Sequence, residues 1–316
     1  MKKKPFFLLL LSAGCLFTAC SNEDKMEGPE EKSIPVVVNV TEEPMQAISR
    51  AAVTTTGSLE KFYMDFYSDD CWNHYTYRKS GSGWSSTLSW LAAPDSYPIT
   101  FYAYHDSDTE GSSRLNGSSN PYLSVSVEEN ASTQHDVIVA MSKTFTYGER
   151  GSTVNLSFNH ICSAVQFNIC KTSGMSDYDI TVKEVKLCNV IKTGDYYYKS
   201  GTWDLSSSTT TDYTLYSTDG FELTTASKEL IAGDDYMFMI PQTLTPWDKI
   251  STLGNTYIRL RCKITKNGTY KIGSANEWGD TYLAVGDTWQ QGKKHTVTLH
   301  VGTALRNASG TQITKL

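Results

Sequence analysis

Beyond its first twenty residues the chain has no long apolar run, no paired-cysteine motif and no surplus of basic charge. Each absence removes a class of function. After Cys20 the cysteines are Cys71, Cys162, Cys170, Cys188 and Cys262, an odd and widely spaced set without C-x-x-C, so neither a zinc site nor a complete disulfide framework is indicated. They read as buried free thiols. The formal charge is −6, and removing a leader with Lys2, Lys3 and Lys4 takes −6 less three, to −9. Such a polyanion has no electrostatic footprint for nucleic acid. No window longer than about eleven residues keeps a helical period. The six histidines, His74, His105, His135, His160, His295 and His300, form no H-E-x-x-H and no close metal pair, and G-x-S-x-G and P-loop patterns are missing. Neither an enzyme nor a bound cofactor or metal is expected.

What is present starts with a leader. "MKKKPFFLLLLSAGCLFTAC" has a basic start, an apolar stretch and small residues before Cys20, the layout of a secretory signal over residues 1–19. Its end, "LFTAC", is similar to a bacterial lipobox, in which Cys20 becomes the acylated first residue; "SAGC" ending at Cys15 is a weaker competitor. The following "SNEDKMEGPEEKS", residues 20–33 with the cysteine, is polar and acidic and reads as a disordered tether.

From Ile34 the pattern is that of strands. Ile34, Val36, Val38 and Val40 alternate in "IPVVVNV", a first strand over residues 34–40 with one buried face. Runs such as "LEKFYMDFY", "YPITFYAYHD" and "HDVIVAMS" follow, each bounded by Gly, Ser, Asn, Asp or Pro clusters. The polar break "KTFTYGERGS" divides residues 34–150 from 151–302. In "STVNLSFNHICSAVQFNIC", Val154, Leu156 and Phe158 share one parity while Ile161, Val165, Phe167 and Ile169 share the other, which predicts a bulge near Asn159–His160. An all-β chain of two antiparallel β-sandwiches in tandem is the economical architecture.

Two smaller features have competing readings. Asp106, Asp108, Glu110 and Gly111 in "DSDTEG" occupy the first, third, fifth and sixth positions of a calcium loop, but Gly117 stands at the twelfth, and a solvated acidic turn is the simpler reading. Tyr196, Tyr197 and Tyr198 form either a sugar-stacking platform or a cross-strand ladder.

Arg50 is the first arginine in the chain and stands among small uncharged residues, with no acidic residue from Met45 to Leu59. Its meaning follows from a resemblance. The lipobox, "WLAAPDSYPITFYAYHD", "HDVIVAMS", "VNLSFNHICSAVQF", "GTWDL", "MIPQTL" and "WGDTYLAVGDTWQQGKKHTVTLHV" together resemble the fimbrillins, pilin subunits of Bacteroidetes type V pili, over nearly the whole chain from Ile34. The resemblance implies two transthyretin-like β-sandwich domains, display at the outer membrane through a palmitoyl-type lipid, and no catalysis. It also implies that an arginine-specific protease cuts between Arg50 and Ala51. The subunit then loses its first strand and receives a replacement from another pilin subunit. Burial of four side chains at Ile34, Val36, Val38 and Val40 contributes on the order of 6–12 kcal/mol as an upper figure. The tail, residues 303–316, is a candidate donor strand through Leu305, Ile313 and Leu316, although it alternates poorly. Stalk, tip and anchor roles are not separated by the sequence, and neither is the surface receptor. A monomeric surface lipoprotein binding glycans through exposed aromatics is the competing reading.

Overall fold

A computed structural model of the chain describes residues 33–42, 58–106, 113–231, 236–248 and 254–302. Among the described residues the apolar alternations form strands, and the helical elements are 3-10 turns of three residues each. The chain is all-β. In the first half the strands are β1 (Val38–Glu42), β2 (Lys61–Ser68), β3 (Cys71–Ser80), β4 (Gly83–Ser85), β5 (Ile99–His105), β6 (Leu115–Asn116), β7 (Tyr122–Ser126), β8 (Ile138–Phe145) and β9 (Val154–His160). They continue with β10 (Ser163–Lys171), β11 (Tyr178–Ile191), β12 (Thr193–Tyr197), β13 (Thr202–Asp204), β14 (Thr210–Glu222), β15 (Lys228–Glu229) and β16 (Met237–Met239). The last are β17 (Gln242–Thr243), β18 (Tyr257–Lys266), β19 (Thr269–Ile272), β20 (Gly279–Ala284), β21 (Thr288–Trp289) and β22 (Lys294–Val301).

Seven strands make the first sheet, in the order β1-β9-β8-β5-β2-β3-β4. Successive side chains of a strand leave on opposite faces, and here both faces are covered. Phe62, Met64, Phe101, Ala103, Ile138 and Ala140 enter one core, while their neighbours Tyr63, Tyr102, Tyr104 and Val139 enter another. This double burial is why "KFYMDF" and "ITFYAYH" are aromatic and apolar at consecutive positions rather than alternate ones.

The second core is shared with the rest of the chain. One sheet there centres on β10, flanked by β15 and β16 antiparallel and by β22 parallel; the other runs β14-β11-β18-β19, with β20 also paired to β18. Phe167 and Ile169 from β10, Ile180 and Val182 from β11, Leu260 and Ile264 from β18, and Leu299 and Val301 from β22 belong to the same buried cluster as Tyr63 and Tyr104. A small sheet, β13-β12-β7-β6, ties first-half β7 to second-half β12.

Two local expectations change. The parity shift near His160 comes from a break between strands, not a bulge: β9 ends at His160 and β10 begins at Ser163. Phe158 therefore faces the first core and Ile161 the second. The polar run near residue 150 consists of the end of β8, through Phe145, and the 3-10 turn Tyr147–Glu149, closed by a capping box between Thr146 and Glu149. Because β9 pairs with β1 and β8, the first sheet continues past residue 150 to His160.

The five cysteines of the described residues are free, and only Cys71, at the β2–β3 turn, is exposed. Burial pushes the thiols of Cys188 and Cys262 up to about 12, and a protonated, buried thiol is a poor nucleophile. Maleimide treatment of the native chain, read by peptide mass spectrometry, is expected to label Cys71 and leave Cys162, Cys170, Cys188 and Cys262 until denaturant is added. Prompt native labelling of Cys188 or Cys262 would contradict this packing.

Candidate functional site

The site is the seat of the amino-terminal segment of the described fold. Val38 to Glu42 lie parallel to Val154 to Phe158, with Val38 beside Val154 and Val40 beside Leu156. On its other side the same chain meets the run that follows β4. The Val36 N–H donates to the Leu88 carbonyl at 3.0 Å, the Trp90 N–H donates to the Ile34 carbonyl at 2.7 Å, and Pro35 forms an antiparallel bridge with Ser89. Since β4 and β1 are opposite ends of the first sheet, residues 34–42 bridge those ends. A segment bonded on both sides removes two sheet edges at once.

Between the two ladders the segment also fills the core beneath it. Val36 and Val38 are 6% and 8% exposed, and half-buried Val40 packs against the same cluster, which includes Leu88, Trp90, Leu156 and Phe158. The Tyr77 hydroxyl donates to the Val36 carbonyl at 3.0 Å from within this core. Burial raises the Tyr77 pKa above the ordinary tyrosine range, with the neighbouring Tyr75 adding to the rise. The phenol therefore remains a proton donor. At the surface the Asn39 side-chain amide donates to the Asn155 Oδ1 at 3.0 Å.

The expected inward row is only partly realised. Ile34 is 38% exposed, because the chain at 34–36 follows the Leu88–Trp90 run before it joins β9, and the strand extends to Glu42. Counting Val36, Val38 and a half-buried Val40, the apolar contribution is roughly 4–7 kcal/mol as an upper figure, smaller than the four-residue value. It still approaches the low end of a whole domain's stability.

Other predicted positions fall as follows. Cys20, Arg50, Ala51, Leu305, Ile313 and Leu316 lie outside the described residues, as do Asp108, Glu110 and Gly111. Asp106 is buried and ion-paired with Arg114. No group of three or more metal-ligating side chains occurs among the described residues. Tyr196 and Tyr198 are buried, 5% and 6% exposed, and Tyr197 stands in a cross-strand pair with Tyr122 at 5.1 Å. The three tyrosines are thus a ladder and core residues, not a sugar platform. The Leu88–Trp90 flank and Tyr77 went unrecognised; the alternation of Leu88 and Trp90 in "TLSW" was the available signal.

A protein-family model described as fimbrillin-like matches residues 41–315. Among solved structures, a fimbrial protein from Bacteroides vulgatus is similar at 14% identity and a TM-score of 0.53, covering 85% of this chain and 97% of that one. A candidate cell adhesion protein from Bacteroides ovatus is 11% identical with a TM-score of 0.47, over 85% and 92% of the two chains. None of the curated proteins matches the chain.

Replacing Tyr77 by Phe removes the hydroxyl that supports Val36. The expected cost is about 1 kcal/mol, seen as a lower unfolding midpoint, with faster amide deuterium exchange concentrated in residues 34–42. Uniform exchange with no local change would separate Tyr77 from the hold on this segment.

Proposed function

The chain belongs to the fimbrillin-like family, and from that premise we propose that it is a structural subunit of a cell-surface pilus, polymerised by exchange of its first strand. The family is one of fimbrial structural proteins, not of enzymes. The observation that carries the reading is the two-sided seat of residues 34–42, a segment whose removal leaves unpaired edges beside Leu88–Trp90 and β9 and an apolar slot above Tyr77. Unpaired edges with a hydrophobic floor accept an extended strand.

The order of events follows from the sequence. Cys20 carries the lipid that holds the exported precursor at the outer membrane, at roughly 0.8 kcal/mol per buried methylene. Cleavage between Arg50 and Ala51, in the connection from Glu42 to Ser58, detaches residues 34–42 from the remainder of the chain without touching β2. Before the cut the resident strand has a far higher effective concentration than any neighbour's, so exchange waits for the protease. The tail after Gly302 is the donor, with Leu305, Ile313 and Leu316 as its apolar side chains. Fourteen residues reach roughly 46–50 Å when extended. Partners are other pilin subunits and the arginine-specific protease.

Treatment of the folded precursor with such a protease is expected to give a stable product beginning at Ala51 and, on incubation, a detergent-resistant ladder of multimers on a gel. Arg50→Ala should abolish both while leaving the precursor folded. Chains truncated after Gly302 should be cut normally but fail to extend the ladder. Ladders of equal length from truncated chains alone would remove the tail as donor and favour a tip or anchor role.

A further inference from the structure

The outer face of the β11–β18–β20 sheet carries charge of the sign that the chain as a whole lacks. Side chains pointing inward from these strands, Val182, Val185, Leu187, Ile258, Leu260 and Cys262, are buried. The alternate positions therefore face solvent. Along β18 these are Arg259, Arg261 and Lys263, spaced about 6.6–6.8 Å apart as every second residue of a strand and paired in register with Tyr282 and Asp280 of β20 and with Lys186, Glu184 and Thr181 of β11. A register shift between Val182 and Glu184 turns both Lys183 and Glu184 outward. The face thus holds Lys183, Lys186, Arg259, Arg261 and Lys263 against Asp179, Glu184 and Asp280, in a chain of formal charge −6.

Part of this charge is met within the fold: Arg261 stands in register between Glu184 and Asp280, and the Lys263 ammonium donates to the Ala275 carbonyl at 2.6 Å. Arg259 is bonded to Glu184 at 2.7 Å, but no salt bridge reaches Lys183, Lys186, Arg261 or Lys263 among the described residues. Lys186 stands directly opposite Arg259, and like charges directly opposite one another destabilise a sheet. Beside it, the Trp278 ring is clasped by Lys183 and Lys263, whose ammonium groups lie 5.5 and 4.9 Å from its centroid. The clasp keeps two cations close together and fixes an aromatic surface at the end of the basic row.

We propose that this face binds a linear polyanionic polysaccharide carrying sulfate or carboxylate groups, with Arg261, Lys263, Lys183 and Lys186 meeting the anions and Trp278 supporting a sugar ring. Charge complementarity selects the occupant: an extended row of cations with a flat aromatic at one end matches a chain of repeating anions. A neutral glycan would leave the cations unused. The site is separate from the first-strand seat and does not depend on subunit exchange.

The test uses the full exported chain and heparin as probe, measured by biolayer interferometry at low and physiological salt. Dextran is the neutral comparison, and phosphatidylglycerol vesicles are the anionic lipid comparison. Heparin binding should weaken steeply with salt, as expected for contacts between exposed charges. The double reversal Arg261→Glu, Lys263→Glu should weaken it at least tenfold in a chain that still unfolds cooperatively, at a lower midpoint because a carboxylate at position 261 faces Glu184 and Asp280. Lys79→Glu, in the first sheet, should leave it unchanged, and Trp278→Ala should weaken it less than the charge reversal. Equal binding of dextran, tighter binding of the vesicles, or full retention of heparin by the folded double reversal would each overturn the proposal.

Discussion

The smaller core of the first sheet is closed by one short segment hydrogen-bonded to two separate partners. Residues 34–36 pair with the Leu88–Trp90 run and residues 37–42 pair with β9. With the segment in place, the sheet has neither of these edges open and its apolar interior is covered by Val36 and Val38. Without it, two ladders are lost together. Hydrogen bonds of this kind contribute only about 0.5–1.5 kcal/mol each in net terms when exchanged for water. Apolar burial therefore supplies most of the affinity of the seat, while the ladders supply direction and register.

The remainder of the molecule makes that opening tolerable. The first sheet is buried on both faces, and its other face, through Tyr63, Tyr102, Tyr104 and Val139, is continuous with the core between the β10 and β11 sheets. The β7–β12 pairing fastens the halves by backbone as well. Losing residues 34–42 strips one side of the smaller core and leaves the larger one untouched. This is the property that the proposed strand exchange would require of a subunit. The basic outer face of the β11–β18–β20 sheet is built on the larger core, so the ligand binding proposed there would place no demand on residues 34–42.

The sequence made some of this legible and hid the rest for physical reasons. Strict alternation at Val36 and Val38 identified the buried face, because a half-buried strand imposes a period of two. Ile34 is different: alternation cannot show that the chain changes partner between Val36 and Val37 and turns its first side chain outward. The pairing with Leu88–Trp90 and the parallel pairing with β9 link positions far apart in the chain, and no local pattern encodes such contacts. The polar run around Tyr147–Glu149 looked like a domain boundary because turns and linkers share a composition; only the pairing of β9 with β8 shows that the sheet continues. The tyrosines at 196–198 are ambiguous in sequence for a similar reason, since aromatic residues serve cores and surfaces equally well until Tyr196 and Tyr198 are seen packed in the larger core against Trp203 and Tyr102.

If residues 34–42 are a removable seal, the seat should behave as a binding site for that sequence supplied from outside. The most direct measurement takes protein trimmed to begin at Ala51 and titrates it with a synthetic peptide of residues 33–42, following peptide binding and the unfolding midpoint together. The account predicts that the trimmed chain unfolds at a lower temperature than the intact one, binds the peptide saturably, and recovers most of the lost stability on binding. A trimmed chain as stable as the intact protein, with no measurable peptide binding, would contradict it.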